Sequence, residues 1–249
     1  MAELDHLSYS SISTFLACPE SWRRKYIAKE PTVSSPALVF GSAIHNTVEQ
    51  YVQAGGDLLS IWGEKWGAQM EKEGSNVLWG MEKPEHHFNE GVRILSDKSI
   101  AGQIATIKAK EIERKVELRV PGVPIPVIGY IDIIAEDGIP GDFKTSAKSW
   151  TNGRAADELQ PLFYLAALNQ AGMTVKDGKF RHYVIVKTKT PKMDVFENTH
   201  NMKEIFFLFD LIRRVWDAIE KESFPLNPTG WKCSPAYCDF WSNCRGRYA

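Results

Sequence analysis

The stretch that decides the fold is residues 129–148, with the sequence GYIDIIAEDGIPGDFKTSAK. Apolar and polar side chains alternate over residues 127–134, a turn signal follows at residues 136–138, and a second run covers residues 139–145. Two such runs around a turn that contains glycine predict a β-hairpin. We therefore expect a pair of antiparallel strands at the centre of the fold.

Three polar side chains in this hairpin indicate a candidate metal-binding or catalytic site. Asp132 lies among apolar neighbours in the first strand, whereas Asp142 and Lys144 are two residues apart in the second and so share a face. Desolvating a charge costs several kcal/mol, so a carboxylate in such a strand needs a partner. Paired carboxylates suit a hard cation such as Mg²⁺, beside which an ammonium group can activate or orient a water. An ordinary Asp–Lys ion pair is the alternative interpretation.

Length and composition are those of a globular protein. The chain has 249 residues, 43% of them hydrophobic, and a net charge of -1. Such a balance gives no overall basic field, so any contact with nucleic acid must come from a local patch. The first residues lack the basic region and apolar core of a signal peptide, and no run approaches about 18 apolar residues. We therefore expect a cytoplasmic protein with no membrane contact, in which the cysteines stay reduced.

The remaining patterns predict an α/β fold, with a mixed central sheet flanked by helices. The first strand of the sheet is expected over residues 111–120, and later strands over 180–187 and 193–197. Helices are expected over residues 7–15 with Ser8 or Ser10 as the cap, and over 20–27, 38–52, 155–172 and 203–222. Residues 55–110 are predicted to form a helical insertion that helps enclose a substrate. Its tryptophans Trp62, Trp66 and Trp79 are either core residues or platforms for base stacking.

Two of these helices carry polar pairs at a spacing of four residues. His45 and Glu49 share one face of the helix over residues 38–52. A lone histidine is more often a hydrogen-bonded residue than a metal ligand, so His45 depends on the other motifs for its interpretation. Gln160 and Tyr164 likewise share a face of the helix over residues 155–172.

The four cysteines form the last motif. Cys233, Cys238 and Cys244 fall within twelve residues, separated by four and five residues, while Cys18 lies near the opposite end of the chain. A compact loop can direct the three thiolates to one centre. With Cys18 as the fourth ligand, that centre suits tetrahedral zinc or an iron-sulfur cluster. Unrelated core cysteines are the alternative, but the segment is polar and rich in turns.

Taken in order, the motifs resemble those of the PD-(D/E)xK nucleases, and specifically the RecB-like branch that includes CRISPR-associated and phage exonucleases. The resemblance rests on GxxxH ending at His45, GYID ending at Asp132, DFK ending at Lys144, and QxxxY from Gln160 to Tyr164. It implies a restriction-endonuclease-like fold and a single nuclease domain over residues 1–249. That domain contains the helical insertion at about 55–110 and an iron-sulfur clamp formed by Cys18 and residues 231–245.

The resemblance also implies roles for the site residues. Mg²⁺ or Mn²⁺ is held by three side chains and by the backbone carbonyl of Phe143, the side chains being those of His45, Asp132 and Asp142. Lys144 positions or activates the attacking water, and Gln160 and Tyr164 contact the substrate strand or support the site. The cysteines match members with a 4Fe-4S cluster. Zinc stays open as the alternative, because related members commonly place two residues between the first two C-terminal cysteines where this chain has four.

The implied function is that of a metal-dependent exonuclease acting on single-stranded DNA or duplex ends in recombination, repair or phage DNA processing. The alternatives are a structure-selective endonuclease and a catalytically quiet DNA-binding or assembly factor. The expected setting is the cytoplasm of a bacterium, an archaeon or a phage-infected host. Digestion polarity, protein partners and oligomeric state are left open. Cations that are candidates for contacting the DNA backbone are Arg23, Arg24, Lys25, Lys148 and Arg154.

Overall fold

The structure is a computed structural model that describes residues 4–248. These residues divide into two compact units. The first consists of the described parts of Met1–Val33, Val116–Gly129 and Met202–Ala249, and the second of Ser34–Lys115 and Tyr130–Asn201. The single nuclease domain expected from the sequence stays a prediction.

Within residues 4–248, six strands form a mixed sheet in the order β1-β3-β4-β5-β6, with β2 paired to β3. Strands β3 and β4 are antiparallel, as are β5 and β6, whereas β4 and β5 are parallel. The central hairpin and the fold class, a mixed sheet flanked by helices, are therefore confirmed. The strands are β1 (Leu7–Ser8), β2 (Ala109–Leu118), β3 (Val127–Ala135), β4 (Pro140–Ser146), β5 (Lys179–Val186) and β6 (Lys192–Thr199).

The helices follow the predicted order. They are α1 (Tyr9–Ala17), α2 (Pro19–Trp22), α3 (Pro36–Ala54), α4 (Leu58–Glu73), α5 (Pro84–Leu95), α6 (Lys98–Thr106), α7 (Asn152–Ala156), α8 (Gln160–Gln170) and α9 (Ile205–Glu220). A π-helical turn covers Arg23–Ile27, and 3₁₀ turns cover Lys176–Gly178, Met202–Glu204 and Arg245–Tyr248. No helix in the described part of the chain is both long and apolar enough to cross a bilayer.

Two details differ from the sequence prediction. The helix expected over residues 155–172 is two helices, because Pro161 lies in the first turn of α8, where a missing N–H is tolerated, and cannot lie in the interior of one longer helix. The sheet also begins earlier than residue 111, with β1, which pairs in parallel with the start of β3. Two residues are too few to carry a recognisable period, so the pattern missed this strand.

The second unit has a large apolar core beneath the sheet. Helix α3 packs against α4, α5 and β4, and its buried Phe40 meets the ring of Trp62 with 5.8 Å between centroids. Trp62 and Trp66 are 0% and 7% exposed and belong to this core. The core interpretation of these tryptophans is therefore confirmed, and the base-stacking alternative is wrong for both.

The first unit has a smaller aromatic centre. The ring of Trp22, 1% exposed, lies 5.6 Å from that of Phe15 and 5.9 Å from that of Phe224. Helix α1 begins after Ser8, whose hydroxyl accepts the N–H of Ser11 and so acts as the predicted cap. Burial of these rings joins the N-terminal helices to the segment that follows α9.

Gly141, immediately before Asp142 in β4, gives a first stability prediction. A Cβ atom there would lie 2.8 Å from the ring of Tyr183 and 3.0 Å from the carbonyl oxygen of Arg181. We expect Gly141→Ala to lower the free energy of unfolding by about 1–3 kcal/mol through overpacking. The control is Gly63→Ala in α4, where a Cβ meets nothing within 4 Å. Denaturant unfolding showing equal stability for Gly141→Ala and the wild type would contradict this.

Candidate active site

His45, Glu49 and Asp132 bring their ligand atoms within 4.8 Å of one another. Nε2 of His45 lies 2.9 Å from Oε1 of Glu49, one turn further along α3, and 3.2 Å from Oδ2 of Asp132 on β3. Both carboxylates are buried. Helix α3 packs on the sheet, so His45 and Glu49, which the sequence placed on one helical face, lie next to Asp132 in the first strand of the hairpin.

The electrostatics of this group depend on a proton on His45. Burial lowers the pKa of His45, but the hydrogen bonds to Asp132 and Glu49 outweigh it and raise that pKa to about 10. Burial raises the pKa of Glu49, and the contact with His45 opposes this. A protonated imidazole thus balances two buried carboxylates. A divalent cation can take over that role, since carboxylate oxygens and one imidazole nitrogen are suitable donors for Mg²⁺ or Mn²⁺.

Asp142 and Lys144 form the second half of the site on β4. The Lys144 ammonium lies 2.7 Å from Oδ2 and 2.9 Å from Oδ1 of Asp142. Burial, followed by the charge of Asp132, raises the pKa of Asp142 above its ordinary range. Burial lowers the pKa of Lys144, but the charge of Asp142 and its hydrogen bond outweigh this, so the net shift is upward. Lys144 therefore stays an ammonium group at neutral pH.

Phe143, between these two residues, fixes Asp132. Its backbone N–H donates to Oδ2 of Asp132 at 2.7 Å. Its ring packs against those of His45 and Tyr183, at 5.9 and 5.2 Å between centroids. The orientation of Asp132 is thus set by the neighbouring strand as well as by His45.

A chain of hydrogen bonds leads from Lys144 into the core. The ammonium donates to Oε1 of Gln160 at 3.1 Å, and Nε2 of Gln160 donates to the hydroxyl of Tyr164 at 3.0 Å. That hydroxyl donates to the backbone carbonyl of Tyr130 on β3. Tyr164 is 4% exposed. This geometry favours support of Lys144 over substrate contact as the role of Tyr164.

Tyr164→Phe tests this support. Without the hydroxyl, the Gln160 amide loses the partner that fixes its orientation, so Lys144 loses a fixed acceptor. We expect kcat for the activity that the resemblance implies to fall about tenfold, the effect of about 1.4 kcal/mol, with KM unchanged. The control is Tyr51→Phe, which removes a hydroxyl from α3 that takes no part in the hydrogen bonds between Lys144, Gln160 and Tyr164. A rise in KM at constant kcat would instead indicate substrate contact by Tyr164.

The structure therefore brings together six of the residues singled out by sequence, namely His45, Asp132, Asp142, Lys144, Gln160 and Tyr164. Phe143 lies among them, with its N–H engaged as described. Glu49 was absent from the expected ligand set, although its position one turn after His45 was the signal that could have included it. The metal-ligating roles themselves stay predictions.

His182 is a further buried group beside the site. In β5 it pairs with Asp142 across the parallel ladder, and it is 1% exposed between the rings of Trp150 and Phe180. Within the described residues, neither of its ring nitrogens has a hydrogen-bond partner. Burial and then the charge of Lys144 lower the pKa of His182 to about 4. The imidazole is therefore neutral throughout the neutral pH range.

This lowered pKa predicts a pH dependence of stability. The unfolded chain takes up a proton near pH 6.5 and the folded chain only near pH 4, so stability is complete above about pH 6.5 and declines below it. Between about pH 6.5 and 4.5, we expect His182 to account for a loss of about 2–3 kcal/mol. Denaturant unfolding of His182→Phe should lack that part of the loss, whereas the exposed control His86→Phe should retain it. Parallel losses in both variants would contradict the prediction.

The four cysteines belong to the first unit, where they line one cavity of about 700 Å³. All four are free and half-buried. Burial raises the pKa of Cys238, and the charges of Cys18, Cys233 and Cys244 raise it further. Nη1 of Arg245 lies 4.0 Å from the sulfur of Cys233. No three of the sulfurs lie within 4.8 Å of one another in the described chain.

Two of the cations proposed for the DNA backbone are already paired. Nε of Arg23 and Nε of Arg24 lie 2.7 and 2.9 Å from carboxylate oxygens of Glu20. Arg154, by contrast, places its guanidinium over the ring of Trp150 at 4.3 Å. Contact of these groups with DNA stays a prediction.

Comparison with known proteins gives one family and a shared fold. The sequence model of the family described as the PD-(D/E)XK nuclease superfamily matches residues 6–245. A crystal structure of a candidate exonuclease from Eubacterium rectale is similar with a TM-score of 0.64 and 12% identity, covering 93% of this chain and 86% of that chain. The structure of SSO0001 has a TM-score of 0.40 and 16% identity, with coverage of 94% and 95%. No curated protein matches the chain.

Proposed function

Because the chain belongs to the PD-(D/E)XK nuclease superfamily, we propose that it is a metal-dependent DNA exonuclease that hydrolyses single-stranded DNA or duplex ends. Membership makes it a nuclease, and nucleases of this superfamily use divalent metals. The restriction to free ends and the choice of Mg²⁺ or Mn²⁺ belong to the proposal.

One observation carries the proposal: the buried carboxylates Asp132 and Asp142 lie with His45 and Lys144 around one site. The residues fit a hard divalent cation, because the carboxylates and the imidazole nitrogen are suitable donor atoms. The negative charge of the buried carboxylates is otherwise balanced by a proton on His45 and by the Lys144 ammonium. We propose His45, Asp132 and Asp142 as ligands, together with Glu49 and the Phe143 carbonyl. An isolated ion pair between Asp142 and Lys144 does not account for the contacts of Asp132 with α3.

The side chains divide the chemistry of phosphodiester hydrolysis. Bound Mg²⁺ or Mn²⁺ supplies a Lewis acid for the phosphate oxygens and lowers the pKa of water. Lys144 keeps its proton and so stabilises developing negative charge or orients the water, rather than acting as a base. Gln160 accepts a hydrogen bond from that ammonium, and the Tyr164 hydroxyl accepts one from the Gln160 amide. The Phe143 N–H keeps Asp132 aimed at the site.

Matched DNA substrates test this function. The full chain is incubated with Mg²⁺ or Mn²⁺ and with linear single-stranded, closed circular single-stranded, linear duplex or closed circular duplex DNA. We expect the linear substrates to be degraded and the circles to survive. Cleavage of circles would favour the structure-selective endonuclease. Tight binding without cleavage at any divalent metal would favour the catalytically quiet DNA-binding factor.

For the cysteine cavity, we propose a 4Fe-4S cluster held by four thiolates. Support comes from the shared cavity of the four residues. Such a centre would join the N-terminal helices to the C-terminal segment of the first unit, since its ligands are Cys18, Cys233, Cys238 and Cys244.

A further inference from the structure

The segment over residues 231–248 exposes aromatic and cationic side chains around the cysteine cavity, and none of them is a proposed ligand of either site. Trp231, Tyr237 and Tyr248 are 71%, 66% and 90% exposed. Lys232, Arg245 and Arg247 are exposed in the same segment. We call this group the C-terminal aromatic face, defined by Trp231, Lys232, Tyr237, Arg245, Arg247 and Tyr248.

The rings of this face are arranged rather than scattered. Trp231 and Tyr237 meet edge to face at 5.2 Å between centroids, with 72° between planes. The Lys232 ammonium lies 5.5 Å from the centroid of Trp231. The backbone beneath is held by short turns, in which the N–H of Cys233 donates to Gly230 and that of Tyr237 donates to Ser234. Two large rings are thus held against each other while most of their surface faces solvent.

The charged side chains of the segment are mostly cationic. With the cysteines left out of the count, residues 231–248 carry three cations, Lys232, Arg245 and Arg247, against the single acid Asp239. Arg245 is anchored, since its Nη1 donates to the carbonyl of Pro228 at 3.0 Å. Exposed aromatic rings interspersed with cations suit a ligand that has both flat apolar faces and negative charge. An unpaired nucleic-acid strand has both.

We propose that the C-terminal aromatic face binds single-stranded DNA, with bases stacked on Trp231 and Tyr237 and the cations against the phosphates. The inference rests on the proposed function, in which such a strand is the substrate. An unpaired base offers a free π-face, whereas bases within a duplex are already stacked on each other. Every base has such a face, so the binding tolerates any sequence.

The chain also offers a matched control surface. Phe206 and Phe207 in α9 are 75% and 58% exposed. They lie between the acidic residues Glu204 and Asp210 in the sequence, and Arg213 and Arg214 further along α9 are paired with Asp210. Loss of these rings removes a similar exposed apolar area without the charge that a phosphate backbone requires.

Fluorescence anisotropy with a labelled oligothymidine of about 20 nucleotides tests the inference, using the full chain purified anaerobically and buffer without added divalent cation. We expect Trp231→Ala and Tyr237→Ala each to weaken binding about 5- to 150-fold, the range for loss of one stacked base. Trp231→Phe should remain within about threefold of the wild type, because a ring is kept. The double variant Phe206→Ala/Phe207→Ala should bind as the wild type does.

Salt dependence provides a second readout. Each of Lys232→Ala and Arg247→Ala should make the negative slope of log affinity against log salt less steep by about 0.7, the value for one phosphate contact on a single strand. Equal affinity of the wild type and the Trp231→Ala/Tyr237→Ala double variant would overturn the inference, as would failure of the wild type to bind. A change in self-association without a change in DNA affinity would also overturn it, in favour of a protein partner.

The two proposals can fail separately. Suppose that the wild type cleaves DNA with a divalent metal but the Trp231 and Tyr237 variants bind oligothymidine as the wild type does. That result would refute DNA binding by the C-terminal aromatic face and support the nuclease. Oligothymidine binding that depends on the two rings, without cleavage at any divalent metal, would support DNA binding by the face and refute the nuclease activity. Because Trp231 and Tyr237 are mostly exposed, thermal unfolding of both variants should match the wild type.

Discussion

Asp132→Asn is expected to lower the rate of DNA cleavage at least about a thousandfold at saturating substrate. Asp132 is the carboxylate that meets both His45 and the Phe143 N–H, so it is central to the proposed metal site. A metal ion supplies several kcal/mol of transition-state stabilisation, and each 1.36 kcal/mol corresponds to a tenfold change in rate. Asparagine keeps the size of the side chain and an oxygen that can accept the Phe143 N–H, so the fold should persist.

Release of end-labelled nucleotides in Mg²⁺ or Mn²⁺ measures this effect, and Mn²⁺ titration by calorimetry measures the loss of metal affinity in the same variant. The control is Asp194→Asn in β6, where the carboxylate lies 2.7 Å from the Lys192 ammonium. We expect that control to cleave at the wild-type rate. Unaltered cleavage by Asp132→Asn would refute the proposed metal site, whereas equal loss of cleavage in both variants would point to misfolding.

Cys18→Ser is expected to produce the largest loss of stability. If the four cysteines hold one cluster, its binding free energy is also folding free energy for the first unit. Structural metal centres contribute about 10–16 kcal/mol in zinc-binding peptides, comparable to the whole stability of a domain at about 5–15 kcal/mol. We therefore expect the melting temperature to fall by at least about 10 °C and the bound iron to be lost.

Iron and sulfide analysis, visible absorption and thermal unfolding of anaerobically purified protein measure these changes. The control is Ser21→Ala, which alters a residue lining the same cavity without removing a thiolate. That variant should keep its iron and its melting temperature. Stoichiometric zinc in colourless wild-type protein would refute the iron-sulfur cluster and identify the centre as a zinc site. Unchanged iron and stability in Cys18→Ser would remove Cys18 from the ligand set.

Much of the architecture followed from local patterns. The alternation over residues 127–134 and the turn at Gly138 predicted the hairpin, because side chains of a strand change face at every residue. The spacing of four residues placed His45 beside Glu49, since a helix returns to the same face after about one turn. Pro161, by contrast, divided the helix expected over residues 155–172, because an apolar stripe does not reveal where a proline starts a new helix.

The environment of the candidate site depended on contacts distant in sequence. Glu49 joins the site because α3 packs on the hairpin through β4, and the support role proposed for Tyr164 rests on its burial and its bond to the Tyr130 carbonyl. Trp62 could be assigned to the core only after its neighbours were known. Periodicity reports which side chains share a face, but not what that face meets.

By itself, the sequence therefore determined the order of strands and helices apart from β1 and the division between α7 and α8, the hairpin that carries Asp132, Asp142 and Lys144, and the polar pairs on single helical faces. These features depend on short-range backbone geometry. Only the tertiary structure decided which groups are buried together, and with that the raised pKa of His45, the lowered pKa of His182 and the hydrogen-bond chain behind Lys144. The physical reason is that desolvation and charge pairing depend on all neighbours in space, and most of those neighbours lie far away along the chain.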